Sequence, residues 1–186
     1  FMTDEPLSMS YSPAPRSGFT AAEILNTFTE KALADIFFGY GEERYARRIA
    51  SAVVERRSTK PFSTTLEFVE VIKDSVPAAY RRGRLHPATR SFQALRMAVN
   101  DELGAIEHGV AAAWKLLACG GRVAVITFHS IEDRLVKRLF ASFAKNKDHA
   151  RLLYKKPLIP SAAEVRANPA SRSAKLRAIE KICQEQ

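Results

Sequence analysis

Arg122-Val-Ala-Val-Ile-Thr-Phe128 is a short apolar run, rich in β-branched residues, that follows directly on Gly120-Gly121. Such a run is typical of a strand buried on both faces in a parallel sheet. Ser130 comes soon after it and is expected to cap the next helix, with Asp133 at the third helical position. A buried strand followed by a helix indicates an α/β fold.

The residues before this strand carry mainly helical patterns. Thr20-Ala-Ala-Glu23 and Thr64-Thr-Leu-Glu67 have the spacing of capping boxes, so we predict that a helix begins after each of them. A further helix is predicted over 30–38, and Gly39-Tyr-Gly41 is expected to break it before the next helix over 42–54. The fold class is therefore α/β but mostly helical.

The longest helical pattern starts at Pro87, a residue favoured in the first helical turn, and continues through Leu117. A polar stripe beside its apolar face consists of Gln93, Arg96 and Asn100. This stripe is either a solvated helix surface or part of a functional site.

The last third of the chain is predicted to add an edge strand over 152–159, because Pro157 cannot donate to a central ladder, and a final strand over 174–182. The expected organisation has three parts: an irregular segment 1–18, a mainly helical lobe 19–118, and a strand-bearing part 119–186.

The composition indicates a globular chain without a membrane span. With 186 residues and 46% apolar side chains, the chain can bury the core of one domain, or of a compact core with a small second lobe. No apolar run approaches the roughly 20 residues that a spanning helix needs. Cys119 and Cys183 show no CxxC spacing, so we predict reduced thiols and a cytoplasmic location.

Positive charge is concentrated towards the carboxyl terminus. Residues 120–186 hold 14 Lys and Arg against 6 Asp and Glu, whereas residues 1–119 are nearly neutral. Nucleic acid is the natural partner for such an excess, since neutralised phosphates release counterions. A second basic run, Arg81-Arg-Gly-Arg84, is either a phosphate contact or a solvated loop.

Several kinds of site are excluded by the sequence pattern. Gly120-Gly121 precedes a strand and so cannot form a phosphate loop at a helix start, the four histidines lack metal-ligand spacing, and no GxSxG motif is present. The polar stretch His129–Arg134 remains, at the carboxyl end of the strand, where α/β sheets bind ligands. The same residues are also what a helix cap requires.

Several short motifs follow one another along the chain. They are Tyr40-Gly-Glu-Glu-Arg44, His86-Pro-Ala-Thr-Arg90, Phe92-Gln-Ala-Leu-Arg96, Asn100-Asp-Glu-Leu103, Gly120-Gly-Arg122, Phe128-His-Ser130, Glu132-Asp-Arg134, Val136-Lys-Arg138, Asn168-Pro169 and Arg172-Ser-Ala-Lys-Leu-Arg177. Taken together, these ordered motifs resemble the MraW-type methyltransferases, which methylate cytosine N4 in small-subunit (16S) ribosomal RNA with S-adenosylmethionine. The resemblance covers about residues 6–182.

The resemblance implies a helical insertion lobe joined to the C-terminal strands of a class I, Rossmann-like sheet, in which about 152–159 and 174–182 would be the last antiparallel pair. The glycine-rich cofactor segment of the family does not precede Phe1, so the chain is expected to be a fragment or a shortened relative, and its cofactor-binding residues are unknown. Ser8 and Ile24 depart from the family pattern, which carries aspartate and often tryptophan there. An exposed strand edge suggests a homodimer or edge-strand pairing.

By resemblance, His129 and Ser130 line a cytosine pocket, which the flipped base reaches once it has left the stack. Substrate contacts are expected from Arg96, Asn100, Phe128 and Arg134. Phosphate contacts are expected from Arg81, Arg82, Arg84, Lys137, Arg138, Arg172 and Lys175. The alternative function is a non-catalytic RNA- or ribosome-binding module without its own cofactor site.

Overall fold

The computed structural model describes residues 2–145 and 149–183. In these residues the chain is mostly helical, and its strands form one small antiparallel sheet. The chain groups into two compact units, Phe1–Glu102 and Leu103–Gln186. No helix in the described ranges is long and apolar enough to cross a membrane.

The first unit is a helical body whose core is lined with aromatic side chains. Phe68 packs 5.8 Å from Phe37 and 5.2 Å from Phe92, measured between ring centroids. The helices that supply this core are α1 Ala21–Thr27, α2 Glu30–Gly41, α3 Ala46–Thr59, α4 Thr65–Ser75, α5 Ala78–Arg81 and α6 Thr89–Asn100.

Both capping boxes predict a helix start correctly. The Glu23 carboxylate accepts from the Thr20 amide at 2.7 Å, and α1 begins at the next residue. Glu67 accepts from the amides of Ser63 and Thr64, at 2.8 and 3.2 Å, where α4 begins.

The amino-terminal segment is irregular, as predicted, but it is anchored to the first unit. Leu7 is buried, and its amide donates to the carbonyl of Ser63 at 3.0 Å. The buried Asn100 side-chain amide donates to the Met9 carbonyl and accepts from the Tyr11 amide, both at 2.9 Å. The end of α6 therefore holds the irregular chain at two points.

The second unit contains the sheet. Its elements are α7 Glu102–Leu116, which begins at the unit boundary, β1 Arg122–Thr127, α8 Ser130–Phe143, β2 Ala150–Leu152, α9 Ala162–Ala167, a 3-10 helix Pro169–Ser173 and β3 Lys175–Lys181. The strand order is β1-β3-β2, and both pairings are antiparallel. The buried side chains of its core include Val136, Phe140 and Ile179.

The strand β1 lies where the sequence predicts it, but the prediction of a parallel strand buried on both faces was wrong. Val123 and Val125 pack against the core, whereas Ile126 on the other face is 56% exposed. Among the described residues only β3 pairs with β1, so β1 is an edge strand. An apolar run shows that both faces of a strand could be buried. It does not show that other elements are present to cover both faces.

The predicted helix boundaries on either side of Gly41 were wrong. Helix α2 continues to Gly41, and α3 begins only at Ala46. A Cβ atom at Gly41 would lie 2.5 Å from the Arg90 carbonyl oxygen, so this glycine permits close contact between α2 and α6.

The long helix predicted from Pro87 through Leu117 is interrupted at Asp101, whose φ is 45°.

The carboxyl-terminal strands are antiparallel, as predicted. β3 matches the predicted final strand, but the strand predicted over 152–159 is reduced to β2 and a bridge between Leu158 and Leu176. Cys119 and Cys183, predicted to be reduced, form a disulfide bond. Strand pairing explains their approach, since the Gly120 amide donates to the Lys181 carbonyl at 2.9 Å.

Candidate functional site

The turn between β1 and α8 is closed by a reciprocal pair of hydrogen bonds. The Glu132 amide donates to His129 Nδ1 at 3.3 Å, and Glu132 Oε2 accepts from the amides of Phe128 and His129, at 2.9 and 3.3 Å. The helix cap is therefore His129 with Glu132, and the predicted cap of Ser130 with Asp133 was wrong. Both pairs have the same spacing, shifted by one residue.

This cap also orients the imidazole of His129. Because Nδ1 accepts a hydrogen bond, the neutral ring carries its proton on Nε2. His129 Nε2 lies 3.2 Å from Glu132 Oε1. Burial would raise the pKa of Glu132, but the neighbouring His129 side chain and the hydrogen bond from the Phe128 amide outweigh it and lower that pKa.

Asp133 joins the start of α8 to β3. Its Oδ1 atom lies 2.7 Å from Arg177 Nε, and its Oδ2 atom lies 3.2 Å from Arg177 Nη2 and 3.4 Å from Lys175 Nζ. Burial would raise the pKa of Asp133, but Arg177 and then Lys175 lower it. The start of α8, directly after the loop that follows β1, is therefore held both by its own helix cap and by β3.

Arg177 has a role in the site region that the sequence did not reveal. Its side chain is only 12% exposed and forms the shorter contact to Asp133. The sequence signals are the alternation Lys175-Leu-Arg177, which places two cations on one face of the final strand, and the motif Arg172–Arg177, which ends at this residue.

The other expected site residues of the second unit lie on its surface. Phe128 and Ser130 flank the cap and are exposed, and so are the cations of α8. Arg172 is exposed and donates to the Pro169 carbonyl at 3.2 Å. Lys175 is half-exposed and forms an ion pair with Asp133. The exposed cations on α8 are Arg134, Lys137 and Arg138.

In the first unit, the polar stripe of α6 is not a solvated surface. Arg96 forms a two-point ion pair with Glu102, with Nε–Oε1 at 2.7 Å and Nη2–Oε2 at 3.0 Å. Asn100 is buried, and its side-chain amide also donates to the Arg96 carbonyl at 2.8 Å. Gln93 donates to the Tyr40 carbonyl. Each of these side chains is thus used in packing the unit.

The basic run after α4 is exposed in the first unit. Arg81 ends α5, Arg82 follows it, and Arg84 lies in the loop beyond. Of these three, Arg84 lines a cleft together with Arg44 and Arg90, two cations that were not expected to contribute to a site.

Two features mark the S-adenosylmethionine site of a class I methyltransferase. A class I cofactor site lies at the carboxyl ends of parallel strands, next to a glycine-rich turn that leads into a helix. In the described part of the chain the sheet is entirely antiparallel, and Gly120-Gly121 leads into β1 instead.

A family model described as the MraW methylase family matches residues 1–182, which is nearly the whole chain. The chain belongs to the MraW methylase family. This membership confirms the resemblance that the ordered motifs indicated, and an α/β chain that is mostly helical is consistent with it.

Individual relatives of this MraW family member agree with the family model. Proteins named ribosomal RNA small subunit methyltransferase H are 50% identical in Synechocystis sp., 48% in Synechococcus elongatus and 47% in Heliobacterium modesticaldum. The matches cover 98%, 100% and 98% of this chain, but 57%, 60% and 62% of those relatives. The chain therefore spans about three-fifths of their length.

Proposed function

We propose that this chain serves in the S-adenosylmethionine-dependent N4-methylation of a cytidine in small-subunit (16S) ribosomal RNA. The observation that carries the proposal is the family match over residues 1–182, together with relatives named as methyltransferases of that RNA. An RNA substrate also accounts for the charge of residues 120–186. Such a substrate would place the reaction in the cytoplasm.

The turn after β1 is the proposed cytosine pocket. The lone pair of the exocyclic amine is delocalised into the ring, so groups beside it must accept its hydrogens and fix its direction. Ser130 supplies a hydroxyl oxygen that can accept at this turn, the imidazole of His129 lines it, and the exposed ring of Phe128 offers a stacking surface. The cap with Glu132 supports the proposal, because it holds the turn in one conformation.

Substrate contacts outside the turn are proposed for Arg96, Asn100 and Arg134. The proposed division of labour assigns RNA recognition to the helical lobe 19–118 and base handling to 119–186. Phosphate contacts are proposed for the exposed or half-exposed cations Arg81, Arg82, Arg84, Lys137, Arg138, Arg172 and Lys175.

We further propose that β1, β2 and β3 are the C-terminal strands of a class I sheet. The antiparallel pair of β2 and β3 supports this, since a final antiparallel pair is what the resemblance implies. The proposed part of the described residues in the reaction is to bind the RNA and to orient the cytosine.

The alternative is a non-catalytic RNA- or ribosome-binding module. The observation in its favour is the all-antiparallel sheet of the described residues, which has no glycine-rich turn at a strand end. The two functions make the same prediction for RNA binding and opposite predictions for the cofactor.

One experiment separates the two. The chain is titrated calorimetrically with S-adenosylmethionine and is incubated with the cofactor and unmodified small-subunit RNA, whose nucleosides are then analysed by mass spectrometry. Cofactor heat and N4-methylcytidine are the expected results. RNA binding without either result would establish the module, and absence of RNA binding would contradict both functions.

Variants test the pocket assignment in the same assay. Ser130→Ala and His129→Ala are expected to lower the methylation rate at least tenfold. Ser142→Ala is the matched control, since Ser142 is exposed at the far end of α8 and donates to the Leu139 carbonyl of its own helix. Equal methylation rates for all three variants would contradict the assignment of the cytosine pocket to this turn.

A further inference from the structure

The first unit carries a cleft with an unusually basic lining. Its volume is about 280 Å³, which is large enough for a phosphate and part of a nucleotide. Arg44, Arg84 and Arg90 line it together with Tyr80 and His86. These residues come from three separate parts of the sequence, so no single basic run predicts the cleft.

Aromatic rings hold Arg44 in place. Its guanidinium carbon lies 4.9 Å from the ring centroid of Tyr45 and 4.7 Å from that of Tyr80. The two rings meet edge to face, with centroids 5.0 Å apart. Cation–π contacts of this kind orient a guanidinium and leave its N–H groups able to donate to a phosphate.

A buried carboxylate fixes the tyrosine that supports Arg44. Glu43 is fully buried, and it accepts from the Tyr80 hydroxyl at 2.6 Å and from the Tyr45 amide at 2.8 Å. Burial, followed by Glu43, raises the pKa of Tyr80 to about 12, so its hydroxyl keeps donating at neutral pH. Glu43 is therefore hydrogen-bonded to both of the tyrosines that contact Arg44.

The cations of the cleft have no carboxylate partner in the described ranges. None of Arg44, Arg84 and Arg90 forms an ion pair within 4.0 Å there. The helices that begin beside the cleft, α3 and α6, have no acidic residue in their first turns. A cleft that is lined by three cations without ion-pair partners favours the binding of an anion.

We infer that this cleft binds a backbone phosphate of single-stranded RNA, with Arg44 as the oriented donor and Arg84 and Arg90 completing the charge. This inference rests on the proposed function, which makes RNA the ligand. An arginine fork matches the two oxygens of a phosphate, and an aromatic edge beside it suits an unpaired nucleotide. The assignment adds Arg44 and Arg90 to the expected phosphate contacts.

Fluorescence anisotropy with a labelled single-stranded RNA of about ten nucleotides tests the cleft. The variants are Arg44→Ala, Arg84→Ala and Arg90→Ala, and the control is Lys31→Ala, whose side chain is 89% exposed and pairs with Asp35. Arg84 is in an exposed loop, so its variant keeps the test valid if Arg44→Ala fails to fold.

Each cleft variant is expected to weaken RNA binding about tenfold, and the slope of log Kd against log salt should fall by about 0.7 per lost phosphate contact. Arg44→Lys should recover only part of the affinity, because lysine lacks the fork. Cleft variants that bind like Lys31→Ala would overturn the inference and leave the proposed function intact. A wild-type chain that does not bind RNA would instead overturn the proposed function.

Competition with cytidine monophosphate identifies the source of the phosphate. The mononucleotide is expected to displace labelled RNA only weakly, because it offers one phosphate and no neighbouring nucleotides. Displacement at concentrations similar to those of unlabelled RNA would overturn the RNA assignment in favour of a free-nucleotide site.

Discussion

At the scale of single residues, three carboxylates of this chain act as anchors. Glu132 closes the turn after β1, Asp133 holds β3, and Glu43 holds Tyr80. The acidic residues at the start of α8 were predictable from the sequence but their partners were not, because Asp133 and Arg177 are 44 residues apart. Contacts of that range depend on strand register, which no local pattern specifies.

Asp133→Asn should destabilise the second unit. The substitution removes the charge that faces Arg177, whose side chain is only 12% exposed, and we expect a loss of about 2 kcal/mol in the free energy of unfolding. Asp35→Asn is the control, because its ion pair with Lys31 is exposed and should contribute less than about 0.5 kcal/mol. Urea unfolding measures both, and equal losses would contradict this prediction.

The cap at Glu132 should make stability depend on pH. Its folded pKa is lowered, so its contribution is present above the unfolded value of 4.5 and is lost as the pH falls through the folded pKa. Glu132→Gln should therefore cost about 1 kcal/mol at pH 7 and much less in acid. Thermal unfolding, followed by circular dichroism at pH 7 and at acid pH, measures the destabilisation at each pH. A destabilisation that is independent of pH would refute the prediction.

At the scale of elements, capping signals predicted helix starts better than glycines predicted helix ends. Thr20 and Thr64 precede helices as expected, because a cap needs only residues that are close in sequence. Gly39-Tyr-Gly41 was expected to break α2, yet the helix includes it and ends at Gly41, which packs against the Arg90 carbonyl of α6. Whether a glycine breaks a helix or permits close packing depends on the neighbouring element, which the local sequence does not contain.

Two glycines of α2 allow this explanation to be tested. Gly41→Ala should destabilise the first unit by about 1–3 kcal/mol, because the new Cβ would lie 2.5 Å from a backbone oxygen. Gly39→Ala is the matched control, since nothing lies within 4 Å of its Cβ position, and it should be neutral or stabilising by up to about 1 kcal/mol. Chemical denaturation distinguishes them, and similar losses would rule out the close-packing role.

At the scale of the whole molecule, the fold class and the antiparallel final pair were predictable, whereas the exposure of β1 was not. In the described residues, the unpaired edge of β1 and the outward face with Ile126, Leu158 and Ile159 leave backbone groups and apolar side chains on the surface of the second unit. The sequence predicts a strand from its own residues, but burial depends on which other elements are there to cover it.

This exposed face should promote self-association. Ile126→Lys places a charge on the outward side of an edge strand, and such charges block edge-to-edge pairing. We expect the variant to shift the chain towards monomer in light scattering coupled to size-exclusion chromatography. Ala112→Lys, at an exposed position of α7, is the control for added charge. An unchanged mass distribution for both would argue against pairing through β1.

The antiparallel pairing of β1 with β3 has a consequence for the connectivity of the second unit. The Gly120 amide donates to the Lys181 carbonyl, and the Lys181 amide donates to the Gly121 carbonyl, next to the Cys119–Cys183 bridge. The polypeptide therefore enters and leaves this sheet at the same point. A short peptide joining these two positions would close the segment into a ring. New termini could then be opened in the surface loop between β2 and α9, which makes the segment suitable for circular permutation.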